Sequence, residues 1–561
     1  MTKFIQTFFW RELPNYDKST PLLSRLVFFY TASICLYLFV VLGINYTPIN
    51  DSWVFLFYQD QNSFTLPAFW RDIKNSGINP RVFSRMPYLI TTYMDDEGFV
   101  GLKTIMLSLS IASATGVYLL AATIFHTKRV FAVLCALTYF FFSIDGTLFW
   151  LGAFGVNISM CAMIYSLYFF KAALVKGSYF RLFLSCILIM VAFSSYVGAI
   201  IFVPVFIGFI SLIWVRLWKK KLIYFIVFGA AFIVGNIPMI QQYLDRKGRV
   251  SAVADYSLQN VIEQFNEALS FLFVKVPVSL INPNLGFILP TLFFGVICYF
   301  LCLRVSRMND GAKTSAMEAR FSTRDLIVAI FIGLALIIAG FVPYSFSEVR
   351  IEGERTLLYA RAGFVFLTLA CIAYIIGLLV KDNEKYKKTL ACVGSIIFAL
   401  MLQDKAQVAQ SYNHESKQVR AFMADLLELV PSVEKDTDFL IFVESGEFTG
   451  KGQMVLNRPS FILRYLYENP KIDAVTTSDF YLKRYPVEKG QETLKTRGVT
   501  LNSKNLISVK YARESGFTPL NELTVKVPNS DKENYIELPG VKASKSEPYT
   551  KRQNWFRKQA E

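Results

Sequence analysis

Histidine is nearly absent, with two in 561 residues. His126 and His414 stand far apart, with no ligand cluster or catalytic triad around either, which removes ordinary zinc and serine-hydrolase chemistry. The eight cysteines (Cys35, Cys135, Cys161, Cys186, Cys298, Cys302, Cys371 and Cys392) all fall within apolar stretches, so the polar segments have no disulfide framework. A phosphate loop is lacking too: "GEFTGKG" at 446–452 has the wrong spacing and no Ser or Thr after Lys451, and reads as a turn. No cleavable leader is legible, because Lys3, Arg11 and Lys18 precede a long apolar run without a small-residue cleavage motif; that run reads as a signal anchor. Apart from Asp145, ionisable residues are missing from the interior of the apolar runs. Ion-coupled transporters normally keep such residues at mid-membrane, so that class is disfavoured.

What is abundant is apolar surface. The chain is 54% hydrophobic and 16% aromatic with 18% charged residues, and its mean hydropathy is +0.40, too high for a soluble protein of this size. Runs long enough to cross a bilayer core occur near 22–45, 102–125, 130–149, 152–173, 180–196, 198–217, 222–243, 287–303, 326–346, 362–380 and 389–402, about eleven spans in all. The fold expected is therefore a polytopic α-helical membrane protein with a C-terminal extramembrane α+β domain. The last run is the shortest, and it crosses only if Lys387 and Lys388 snorkel.

The net charge of +16 is a matter of position. Lys128 and Arg129, Lys171 with Lys176 and Arg181, Arg216 with Lys219 to Lys221, Arg304 to Arg324, and Lys381 to Lys388 occupy every second connection, which is the positive-inside pattern. Nucleic acid is thereby excluded as a partner. The N-terminus falls in the cytosol, and loops 47–101, 244–286 and 347–361 fall outside. The expected division is a transmembrane domain over 1–403 and an extracytoplasmic domain over 404–561.

Within the outer segments, "LQNVIEQFNEALSFLF" places Leu258, Val261, Ile262, Phe265, Leu269 and Leu272 at helical spacing, an interfacial amphipathic helix. Beyond 404, "TDFLIFVES", "NLISVKYAR", "ELTVKV" and "NYIELPG" read as strands and "RPSFILRYLYEN" as a helix. The basic tail after Val541 is expected to be loose.

Ionisable groups gather where spans meet the outer water. The first loop opens with "YTPINDSWVFLFYQDQ", in which Asp51 directly precedes Trp53, Phe55 and Phe57. It also holds Asp60, Arg81, Arg85, Asp95, Asp96 and Glu97. The loop "SEVRIEGERTLLYAR" supplies Arg350, Arg355 and Arg361. Such a margin suits a substrate with one end in lipid and one in water, as a lipid-linked sugar has.

"INDSWVFL" (49–56) resembles the acidic motif just after the first span in the GT-C superfamily of polyprenyl-phosphate-sugar glycosyltransferases. "NPRVFSR" (79–85) resembles the basic segment that follows it, most nearly in the O-antigen-modifying glucosyltransferases of the GtrII type. Asn50 stands where that motif has its first acid, and Pro80 where it has a glycine. The resemblance implies a GT-C-like architecture in the first 400 residues, a polyprenyl-phosphate-sugar donor, a glycan acceptor such as O-antigen or another surface polysaccharide, and a bacterial cytoplasmic membrane.

The residues support a matching division of labour. A carboxylate at Asp51 could take the proton of an acceptor hydroxyl, and partial burial against Trp53 and Phe55 would strengthen it as a base. Asp51 serves equally well as a helix N-cap for the segment from Ser52, and both readings stand. The departing lipid phosphate needs fixed cations, for which Arg81, Arg85, Arg350, Arg355 and Arg361 are candidates. Asp60, Asp95 and Asp96 are secondary acidic candidates. With Asp51 they are oxygen donors of the kind a divalent cation such as Mg or Mn accepts, without a cage of defined spacing. A polysaccharide polymerase or ligase acting on lipid-linked glycan, and a non-enzymatic transporter or flippase, are the competing readings.

Overall fold

The computed structural model describes residues 20–43, 99–125, 128–140, 142, 149, 154–195, 218–244, 257–281, 285–307, 320–345, 358–434, 436–444, 459–469, 471–478, 487–489, 493–496, 499–512, 515–526, 533–541 and 549–560, with isolated positions between 67 and 90. In chain order the apolar segments form α1 (Thr20–Leu42), α2 (Val100–Ile124), α3 (Arg129–Phe140), α4 (Phe154–Lys176), α5 (Tyr179–Phe193) and α6 (Trp218–Leu244). There follow α7 (Leu258–Ser270), a π turn (Phe271–Lys275), α8 (Val276–Ile281), α9 (Ile288–Arg307), α10 (Thr323–Ser345), α11 (Leu358–Leu379) and α12 (Asn383–Leu429).

Among the described residues, six helices are long and apolar enough to cross a membrane: Leu22–Leu42, Val100–Ile124, Phe154–Leu174, Ile288–Arg307, Ala360–Leu379 and Asn383–Leu429. Shorter apolar helices cover Arg129–Tyr139, Tyr179–Phe193, Leu222–Ile237 and Asp325–Ile338. The outward faces are apolar as well. Phe29 on α1, Leu289 and Phe293 on α9 and Leu379 on α11 are each more than 60% exposed, a surface that water would not tolerate over such an area and lipid would. The chain is membrane-embedded by these measures. Of the run expected to span 130–149, the described part is helical over Arg129–Phe140, and 141 and 143–148 lie outside the described residues.

Helix α12 departs most from the sequence reading. It runs unbroken for 47 residues, about 70 Å, so the boundary expected at 403/404 falls inside it. Asp382 caps its start by accepting from the Lys385 amide at 2.7 Å. Its far end is met by Tyr467 and Tyr549, whose hydroxyls donate to the carbonyls of Val430 (2.7 Å) and Leu427 (3.3 Å), which occupies acceptors that a helix terminus leaves open.

The C-terminal domain is built on β1 (Asp438–Val443), α13 (Pro459–Leu466), β2 (Ala474–Thr477), the short strands β3 (Glu488–Lys489), β4 (Thr493–Thr496) and β5 (Val499–Asn502), then β6 (Leu506–Ala512), β7 (Gly516–Pro519), β8 (Glu522–Lys526), β9 (Glu533–Glu537) and α14 (Lys551–Ala560). The main sheet has the order β2-β1-β6-β7, with β1 parallel to both β2 and β6 and with β7 antiparallel to β6. Both faces are covered. Phe439 and Ile441 join the helical core while Leu440 packs with Val475, Leu494, Leu501, Leu523 and Ile536, which is why β1 reads as a continuous apolar run. Phe422 of α12 sits 4.9 Å from Tyr511 and 4.8 Å from Phe517, seating the sheet on the helix.

At one end of the main sheet, Asp438 ties the strands together. Its carboxylate accepts from the amides of Asp473 (3.1 Å) and Asn502 (2.6 Å), and Arg464 donates to Asp473 at 2.6 Å. Half-burial nonetheless pushes the Asp438 carboxyl above the usual range, against the lowering effect of those amides.

The amphipathic helix forms as expected, with Ser257 accepting from the Asn260 amide at 3.2 Å as its N-cap. Its stripe toward the protein is Gln264, Ala268, Leu272 and Val276, while Leu258 and Ile262 face outward, 74% and 51% exposed. A spacing of four drifts around an ordinary 3.6-residue helix, and the π turn at Phe271–Lys275 takes up that drift.

The tail expected to be loose instead ends in α14. Phe556 is buried, Arg552 stacks 3.9 Å from the Tyr465 ring, and the same guanidinium donates to the Tyr465 carbonyl at 2.9 Å. A single buried aromatic in a basic decapeptide leaves little periodicity to read.

Candidate functional site

Helices α1 and α12 run parallel. Tyr30 meets Phe398 at 6.0 Å, and further along both helices Asn413 donates to the Val41 carbonyl at 3.1 Å. The sheet domain therefore stands at the bundle end where α1 finishes and α2 begins. Gly43 and Phe99, the described residues that bracket the first long connection, both stand at that end, beside Asn413 and Tyr465 respectively. Glycines let α10 and α11 close together there: a Cβ on Gly340 would lie 2.5 Å from the Ala360 nitrogen. Arg361, expected in the loop 347–361, instead lies in the first turn of α11, which begins at Leu358.

Buried cations collect at this end. Lys405 is fully buried and its Nζ stands 5.6 Å from the Phe149 ring. Tyr412 flanks the same ring at 5.9 Å. Lys103, 2% exposed, holds its Nζ 5.6 Å from Phe39. Arg361, 6% exposed, lies 4.5 Å over Tyr139. Next to it Phe364 contacts Phe142 at 5.9 Å and Phe273 at 5.2 Å. Asn157 donates to the Met106 sulfur at 3.2 Å. Asp404, also buried, immediately precedes Lys405, and Glu415 and Arg420 are buried further along α12, with Ser411 donating to Glu415 (3.3 Å) and Arg420 to Ser416 (2.9 Å).

Desolvating cations inside a bundle is costly and needs compensating charge or rings. The rings of Phe39, Tyr139 and Phe149 supply part of that compensation.

The opposite end is stapled. Lys128 donates to the Arg320 carbonyl and lies 3.7 Å from Asp325, Arg320 donates to Asn383 at 2.7 Å, and Lys171 donates to the Thr123 carbonyl. These contacts close helix ends around two more buried cations, Lys171 (2% exposed) and Lys128 (9%).

Of the residues singled out from the sequence, the structure places Arg361 in the cationic end. Asp51, Asp60, Arg81, Arg85, Asp95, Asp96, Arg350 and Arg355 lie outside the described residues. Among the described residues no group of three or more His, Cys, Asp or Glu could hold a metal ion. Sequence reasoning missed Lys103 and Lys405, because Lys103 stands at the edge of run 102–125 and Lys405 beyond run 389–402, outside the run interiors. The sequence places Lys405 in the extramembrane domain because the composition turns polar from about 404. The signal that could have found it is the stripe Leu402, Lys405, Ala409, Tyr412, Ser416 and Val419, all buried at helical spacing.

No protein-family model matches this sequence, and no curated protein aligns with it significantly. The functional reading rests on the chain itself.

Proposed function

We propose that the chain is a GT-C-type glycosyltransferase. It moves a sugar from a polyprenyl-phosphate donor to a glycan acceptor, O-antigen or another surface polysaccharide, at the outer face of a bacterial cytoplasmic membrane. In this reading about eleven spans put the N-terminus in the cytosol and the sheet domain outside. The observation that carries it is the burial of Lys103, Arg361 and Lys405 at the bundle end where loop 47–101 attaches.

Asp51 takes the proton of the acceptor hydroxyl as that oxygen attacks the anomeric carbon. The bond from that carbon to the donor phosphate breaks, and the lipid phosphate leaves with added negative charge. Arg361, aided by Lys103 and Lys405 and by Arg81, Arg85, Arg350 and Arg355 of the loops, holds that charge in a low-dielectric setting. The donor is already activated, so no nucleotide is needed.

The test is the mass and composition of surface glycan from cells lacking the gene, restored with it, or restored with a variant. Asp51→Asn should abolish the added sugar with expression unchanged, and Arg361→Ala should lower transfer about 10²–10³-fold. Retention of the sugar with Asp51→Asn would remove the base assignment. A change in chain length instead would point to a polymerase or ligase. Burial of Lys405 within the bundle also suits a transporter or flippase, which would move lipid-linked glycan without consuming it.

A further inference from the structure

The C-terminal helix α14 sits at the level where a membrane span begins. Its Trp555 lies edge-on to Phe99 at 5.9 Å, and Phe99 immediately precedes α2, the span Val100–Ile124. Phe99 is 1% exposed and held at a φ of 54°, a left-handed conformation uncommon for an aromatic residue. Its ring also meets Tyr465 of α13 at 6.3 Å. The next residue, Val100, is 45% exposed and opens the apolar surface of the span.

α14 divides its side chains between two tasks. Arg552, Gln553 and Phe556 fix it to the protein, through the Tyr465 contacts of Arg552 and the burial of the other two. Arg557 lies 4.1 Å over Tyr549, and Lys558 is exposed. The helix sequence "KRQNWFRKQA" contains no acidic residue. A basic helix with Trp and Tyr at the edge of a span has the composition of a headgroup-binding element.

We infer that α14 is a membrane-surface clasp: Arg557 and Lys558 bind anionic lipid headgroups while Trp555 and Arg552 hold the sheet domain against the start of α2. The occupant is a phosphodiester lipid in the bilayer plane. Basic side chains within a Debye length of an anionic surface are attracted strongly enough to matter, and salt weakens the attraction. Complementing the dipole at the C-terminus of α14 would also favour Arg557 and Lys558, but that effect is indifferent to the lipid.

The experiment is hydrogen exchange of the peptide covering 549–560 in the full-length protein, reconstituted in nanodiscs of phosphatidylcholine alone or with phosphatidylglycerol. We expect exchange about tenfold slower with phosphatidylglycerol, with the difference shrinking as salt rises. Lys558→Glu, at an exposed position, should abolish most of the difference, and Arg557→Gln together with Lys558→Gln should abolish it fully, while exchange in β1 and β6 stays unchanged. Equal protection in the two discs would overturn the inference. So would equal protection from millimolar inorganic phosphate in neutral discs, which would indicate a site for free phosphate instead of a lipid surface.

Discussion

Single residues carry the sharpest chemistry and the least sequence signal. Arg361 was legible because it closes a charged loop at the mouth of an apolar run. Lys103 and Lys405 were not, since a lone lysine beside a span end looks solvated until its neighbours are known. If the Tyr139 ring supports the Arg361 guanidinium, Tyr139→Leu should lower the thermal midpoint of the detergent-solubilised protein by the equivalent of about 1–2 kcal/mol. Tyr139→Phe should leave it nearly unchanged. Asp438 offers a pH test outside the membrane. Its carboxyl is raised by burial, so the folded state holds the proton more tightly than the unfolded chain. Its contribution to stability is therefore greatest below the unfolded value near ~4 and declines as pH rises through the raised folded value. Global stability of the sheet domain, read from the slowest-exchanging amides of β1 and β6 corrected for intrinsic rates, should fall across that rise, and Asp438→Asn should remove this dependence. An unchanged profile in the variant would assign the pH response to other groups.

At the scale of elements, length and periodicity decided what could be read. Apolar runs gave α1, α2, α4, α9 and α11 closely, and alternation or dense apolar runs gave β1, β6, β8 and β9. The strands β3, β4 and β5, four residues or fewer, are too short for any period to emerge. The continuation of α12 was hidden by composition, because a helix packed inside other elements keeps its buried stripe while its mean polarity rises. The α10–α11 seam was hidden for a different reason: glycine spacing shows that backbones can approach, not which ones do. A side chain on Gly363 would collide with the Gly333 carbonyl and with the Ile337 nitrogen, 2.8 Å away, and these are backbone atoms that cannot swing aside. Gly363→Leu should therefore abolish stable expression or lower the thermal midpoint sharply, by more than the ~1–3 kcal/mol of ordinary overpacking. The same substitution at Gly229, where nothing lies within 4 Å, should be tolerated.

For the whole molecule, the order of parts was legible and their junction was not. The sequence reading has a transmembrane unit followed by an outer domain, joined where polarity changes. In the structure they share α12, and Phe99 at the start of α2 packs against Tyr465 and Trp555 of the sheet domain. The proposed topology predicts that cysteines placed at Glu384 and Asp436, in a background without the native cysteines, react with membrane-impermeant maleimide from opposite sides, Asp436 from outside. Labelling of both from one side would remove the topology and the outer-face reaction with it.

The unbroken length of α12 has a mechanical consequence. From its cap at Asp382 to the tyrosine hydroxyls at its far end it contains no joint, so the sheet that Phe422 carries cannot tilt or sink independently of the bundle. A bilayer thinned by a few Å, of the order that separates one cellular membrane from another, would have no hinge along α12 in which the mismatch could be absorbed. The height of the sheet above the lipid would change by a similar distance, making the domain a gauge of membrane thickness.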